Sequence, residues 1–153
     1  MRKLFLSFGL ILSIVLASSC NKELATPYDH PFFYIHVNKA SEVQVQTSRN
    51  ETVAYPVYFS TKQQFEPVTL NYEIIVGDGL KAGVDYELLS SSNTLVFKPG
   101  IVEMPIHIKW ISHAVDPLQD NTITIKLLNN DKQVTVGLPG PDAKQSSLKI
   151  IKI

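Results

Sequence analysis

Val68-Thr69-Leu70-Asn71-Tyr72-Glu73-Ile74-Ile75-Val76 is the stretch on which the fold turns. Val68, Leu70, Tyr72, Ile74 and Val76 recur every second residue, with Thr69, Asn71 and Glu73 between them. Side chains alternate between the two faces of a β-strand, so this spacing predicts a strand with one face buried. The same alternation recurs on both sides. Upstream, Val53, Tyr55, Val57 and Phe59 share a phase, as do Val43 and Val45. Downstream come Leu95 with Phe97, then Met104, Ile106, Ile108 and Trp110 opposite His107 and Lys109. Ile123, Ile125 and Leu127 follow, then Val134 with Val136, then Leu148 with Ile150. Ordered structure is expected to start at residues 32–37, FFYIHV.

No window carries a helical stripe. Turn-forming clusters separate the strands: Gly77-Asp78-Gly79, residues 90–93, Pro99-Gly100, Asn129-Asn130-Asp131 and Pro139-Gly140-Pro141. About seven to nine short strands at this spacing predict an all-β, antiparallel sandwich of immunoglobulin-like type. Pro56 and Pro105 each interrupt a good strand, which predicts an edge or a bulge, because proline has no N–H for a ladder.

The N-terminus reads differently. Arg2 and Lys3 precede an apolar run, Leu4 to Leu16, and Ala17-Ser18-Ser19 place small residues before Cys20, the single cysteine of the 153-residue chain. This is the layout of a cleaved export signal. With a cysteine directly after the small residues, it looks like the lipobox of bacterial lipoproteins, in which the thiol is acylated. The departure is at Ala17, where that pattern favours leucine; Leu16 lies one step earlier. The expected organisation is a signal at 1–19, a polar tether at 20–31 and one domain at 32–153. Lipid chains hold a protein to a bilayer through burial of about 0.8 kcal/mol per CH₂. The domain therefore needs no membrane-binding face of its own.

The chain has fourteen Lys/Arg and fourteen Asp/Glu. Without Arg2 and Lys3 the balance is twelve against fourteen, a net charge of −2. Charges are scattered, which argues against nucleic acid as a partner.

Residues 82–87, Ala-Gly-Val-Asp-Tyr-Glu, followed by residues 93–100, Asn-Thr-Leu-Val-Phe-Lys-Pro-Gly, resemble the Calx-β domain, which reads A-G-x-D-Y and then x-L-x-F-x-P-G. The strand from Met104 to Trp110 and the stretch from Ile123 to Asn129 continue the likeness, which covers roughly residues 68–129. The resemblance implies a sandwich whose loops at one end are able to hold calcium. Asp85 would match the conserved aspartate, and an acidic run would fall at residues 112–120. There only Asp116 and Asp120 are acids, while Ser112, His113 and Ala114 stand where acids are expected. Calcium takes six to eight oxygens, so Asp85, Asp116 and Asp120 would give at most weak binding. Read physically, the motif is a sandwich corner: Gly83 allows a tight entry, Asp85 accepts from loop amides, and Tyr86 buries its ring. The segment from Val136 to Asp142 is similar to small Bacteroidota cell-surface lipoproteins that accompany glycan-uptake systems.

Other chemistry finds little support. Asp78 between two glycines reads as capping its own turn. His30, His36, His107 and His113 lack metal-ligand spacing, and His36 and His107 are expected to face solvent. No nucleophile elbow is present, so no catalytic residues are assigned. Trp110 shares the phase of the core. Tyr28, Phe32 and Tyr58 remain as ring candidates for sugars, with Phe32 and Phe33 expected over the end of the sandwich and Tyr58 on its outer face. The expectation is a non-catalytic envelope lipoprotein without a cofactor. It would sit on the outer membrane, facing outward or periplasm-ward, and serve in adhesion or as an accessory to glycan uptake, with surface proteins or glycans as partners. A calcium-binding Calx-β domain and a carbohydrate-binding module stand as alternatives.

Overall fold

The computed structural model describes residues 30–90 and 92–153; Cys20 and Tyr28 lie outside them. The described residues form β1 (Phe32–Ile35), β2 (Glu42–Val45), β3 (Thr52–Ser60), β4 (Val68–Val76), β5 (Tyr86–Leu88), β6 (Thr94–Phe97), β7 (Glu103–Trp110), β8 (Thr122–Asn130), β9 (Thr135–Val136) and β10 (Ser147–Lys152). One sheet has the order β5-β7-β3-β1-β9 and the other β2-β10-β8-β4-β6. Their inner faces enclose one core, so the chain is an all-β sandwich.

The alternation seen in the sequence sets which face is inside. Tyr55, Val57 and Phe59 of β3 and Ile106, Ile108 and Trp110 of β7 are buried, facing Leu70 and Tyr72 of β4 and Ile123, Ile125 and Leu127 of β8. Phe33 does not cover an end of the sandwich, as the sequence suggested. It is fully buried, stacked on Phe59 at 4.2 Å and tilted against Phe97 at 5.1 Å. Phe32, one residue earlier, points to the outer face because the strand period is two.

Two features depart from the expected sheet pattern. First, the strand count exceeds nine because both terminal runs change sheets. β1 pairs with β3, and the chain then turns through Asn38 and Lys39, both with positive φ, into β2 on the other sheet. β9 and β10 make the same switch, so the first and last runs travel in parallel: β1 beside β9, β2 beside β10. The two crossings are tied where the Ile35 N–H donates to the Gln145 carbonyl at 2.8 Å. The sandwich is thus antiparallel except at these two terminal pairs.

Second, neither proline marks an edge. β3 is the central strand of its sheet and β7 is internal, and Pro56 and Pro105 sit directly opposite one another. Their backbone phase explains this. The Phe59 N–H donates to Val102 O and the Trp110 N–H to Glu51 O, so odd residues of β3 bond to even residues of β7. Pro56 and Pro105 have the other parity, and their nitrogens point away from each other. On those outer sides β1 stops pairing at Val57 and β5 at Ile108. Each missing N–H falls where no neighbouring strand would receive it.

Candidate functional site

The end of the sandwich where β4 leads to β5 and β7 leads to β8 carries the residues singled out in the motif. Gly83 has φ +78, a left-handed conformation glycine adopts without strain. This lets residues 81–85 close a turn in which the Val84 and Asp85 N–H groups donate to Lys81 O at 3.1 and 2.9 Å. The Lys81 N–H donates back to Asp85 Oδ2 at 2.9 Å, the capping role expected of this aspartate.

The rest of Asp85 faces inward. It is 2% exposed, and its Oδ1 accepts from Lys152 Nζ at 3.0 Å and meets His113 Nδ1 at 2.9 Å. An ionised carboxylate only accepts, so His113 carries its proton on Nδ1 in this contact. Lys152, at the end of β10, is 1% exposed. Its ammonium also donates to Ile111 O at 2.9 Å and Asp85 O at 3.3 Å. Burial pushes the Asp85 carboxyl upward. The Lys81 amide, Lys152 and His113 together outweigh that effect and hold it below its ordinary value of 3.8.

Asp116 and Asp120 do not join Asp85. Asp116 Oδ1 caps the Leu118 N–H at 2.9 Å, and both aspartates are exposed on the β7–β8 loop. Asp78 does not cap its own turn. Its Oδ1 accepts the Asp120 N–H at 3.2 Å, pinning one loop to the other. The loops touch closely: a Cβ on Gly77 would lie 2.1 Å from Asp120 O. Among the described residues no group of three or more His, Cys, Asp or Glu side chains is placed to hold a metal ion. Beside this end lies an open groove of about 510 Å³ lined by Thr47, Val115, Asn121, Lys149 and Ile151 among others, without converging acids.

A second feature lies on the outer face of β1 and β3. Tyr34 and Tyr58 are direct cross-strand partners with rings stacked at 5.2 Å. His36 stacks on Tyr58 at 4.8 Å, and Phe32 lies 5.4 Å from Tyr34. Glu103 stands opposite Tyr58 on β7, with Pro56 and Pro105 paired alongside. Burial, the Glu103 charge and Tyr34 all push the Tyr58 hydroxyl upward. Of the two histidines expected to face solvent, His107 is exposed, whereas His36 is half-buried in this ring cluster. The sequence alone offers Phe32 and Tyr58 as ring candidates, but not Tyr34 or His36. The signal was there in the i, i+2, i+4 spacing of Phe32, Tyr34 and His36, but joining it to Tyr58 required the β1–β3 register.

No helix among the described residues is long and apolar enough to cross a membrane. Neither a family model nor a curated protein matches the sequence. A solved structure does: the apo-form Calx CBD1 domain, at TM-score 0.57 and 19% identity, covering 82% of this chain and 99% of that one. At that identity the likeness speaks for the fold alone. The architecture expected from residues 82–100 is therefore shown: this chain is a β-sandwich with a Calx-β-like fold.

Proposed function

We propose that this protein is a non-catalytic binding module that meets its partners through the outer face of β1 and β3. The observation that supports this most is the unbroken aromatic row of Phe32, Tyr34, His36 and Tyr58. Ring and proline surface there is interleaved with phenol, imidazole and carboxylate groups. Such a surface suits a partner that is apolar on its ring faces and polar at its rim, as a pyranose is. This favours a carbohydrate-binding role in a glycan-handling complex. Affinity electrophoresis through gels containing soluble β-glucan or xylan tests it. The protein is expected to be retarded, and Tyr34→Ala and Tyr58→Ala to lose most of that retardation. Free migration of the unaltered protein in all gels would exclude glycans and leave surface proteins as the partners.

The module is proposed to be held at a bacterial outer membrane by acylation of Cys20. Support comes from the leader and the small residues before it. Cys20→Ser is expected to abolish palmitate incorporation and move the protein from the membrane to the soluble fraction. Unchanged labelling and fractionation would remove the anchor from the proposal. Surface exposure rather than a periplasmic orientation would show as digestion by protease added to intact cells.

A further inference from the structure

The fold family implies calcium at the loop end of the sandwich, and the residues here can be tested for fit. Calcium needs six to eight oxygens at about 2.3–2.6 Å, several of them carboxylate. Around the Lys152 nitrogen there are three: Asp85 Oδ1, Asp85 O and Ile111 O. The other Asp85 oxygen takes the Lys81 amide, Asp116 Oδ1 caps Leu118 on its own loop, and Asp120 is exposed with its backbone bonded to Asp78 and Gly79. The set does not fit calcium. It fits an ammonium, because each of its three hydrogens has one oxygen acceptor.

We infer that the ε-ammonium of Lys152 is a cation supplied by the chain itself, tying the β4–β5 turn, the exit of β7 and the end of β10 together so that this end assembles without metal. Three separate segments converge on one nitrogen. Asp85 belongs to the turn, Ile111 follows β7, and Lys152 is anchored in β10 with its own N–H donating to Asn121 O at 2.9 Å. The Ile111 N–H closes the arrangement by donating to Asp85 O at 3.0 Å. A tethered cation is always present, so the geometry of these loops does not follow ambient calcium.

The test is chemical rescue. Lys152→Ala removes the cation and leaves a channel about the size of an alkylammonium. The melting temperature of this variant is expected to fall well below that of the unaltered protein. It should recover progressively with n-propylammonium chloride, and not with tetramethylammonium chloride at equal ionic strength. The unaltered protein should melt at the same temperature with chelator and with several millimolar calcium. Equal recovery in both salts would overturn the inference, as would a calcium-dependent rise in the unaltered protein. Should Lys152→Ala not fold, the double variant Asp85→Asn/Lys152→Met decides. Near-normal melting supports a charge role for Lys152, while melting as low as that of Lys152→Met alone overturns it. Lys152→Met should also weaken the acid dependence, because the Asp85 carboxylate loses the ammonium and keeps only the Lys81 amide and His113 as groups favouring its charged form, beside the Tyr86 ring.

Discussion

Asp85→Ala is expected to lower the unfolding free energy by about 3–5 kcal/mol, measured as a shift in the urea midpoint at neutral pH. The cost comes from the partner left behind rather than from the attraction lost. In the variant the Lys152 ammonium remains buried with only carbonyl oxygens around it, and an uncompensated buried charge is far more costly than a broken surface pair. The Lys81 amide also loses its acceptor. Asp85→Asn keeps an oxygen for that amide and should lose less. The pH profile gives an independent check. Because the folded carboxyl titrates below 3.8, its contribution is complete above that value and disappears as pH falls through the lower folded value. Asp85→Ala should lack this acid-side component. A loss under about 1 kcal/mol in Asp85→Ala, the range of an exposed ion pair, would show that the pair is not buried in solution. The surface ion pairs among the described residues, such as Lys109 with Glu87 at 3.0 Å, sit in that weaker class.

Trp110→Ala is expected to cost a similar amount, about 3–5 kcal/mol, by a different route. Trp110 is fully buried at the end of β7, opposite Tyr86 of β5, and its Nε1–H donates to the Tyr55 hydroxyl at 2.9 Å. Truncation opens a large cavity between rigid strands and leaves a buried phenol short of a donor. Trp110→Phe keeps most of the volume and should cost less, isolating the hydrogen bond. Burial pushes the Tyr55 hydroxyl up to about 12, and the indole donor works against that rise. Between the unfolded value near 10 and the folded one, the unfolded state loses its proton first. Stability from this group is therefore complete below about pH 10 and declines as pH rises toward 12. Trp110→Phe should move the Tyr55 titration further upward, read from phenolate absorbance. As Trp110 is the single tryptophan, its fluorescence in the unaltered protein reports the same core. A loss under 1 kcal/mol in Trp110→Ala would contradict its placement there.

The two residues differ in how legible they were. Trp110 could be placed in the core from its phase with Ile106 and Ile108 alone, because a strand's period of two fixes its faces without knowledge of neighbours. Asp85 could be given its local role, accepting from a nearby amide, since that bond spans only four residues. Its main partner lies 67 residues away on the last strand. The period of two does put Lys152 in phase with Leu148 and Ile150, but a lysine at the end of a strand reads as reaching out to solvent, and nothing in the sequence names the carboxylate that receives it. The prolines show the same boundary. Each alone predicts an edge, and only the pairing of β3 with β7 shows two prolines whose missing donors fall outside the ladder.

What the amino-acid order determined by itself was the alternation: which residues pair with which face, where the turns lie, and that two β-layers must close on one core. What needed the tertiary structure was everything carried by register and sheet order. That includes the terminal runs crossing between sheets, the ring row shared by β1 and β3, and the ammonium enclosed at the loop end. The physical reason is range. Face and turn preferences act over a few bonds, whereas these contacts join strands far apart in the chain, and their partners are chosen only when the sheets assemble.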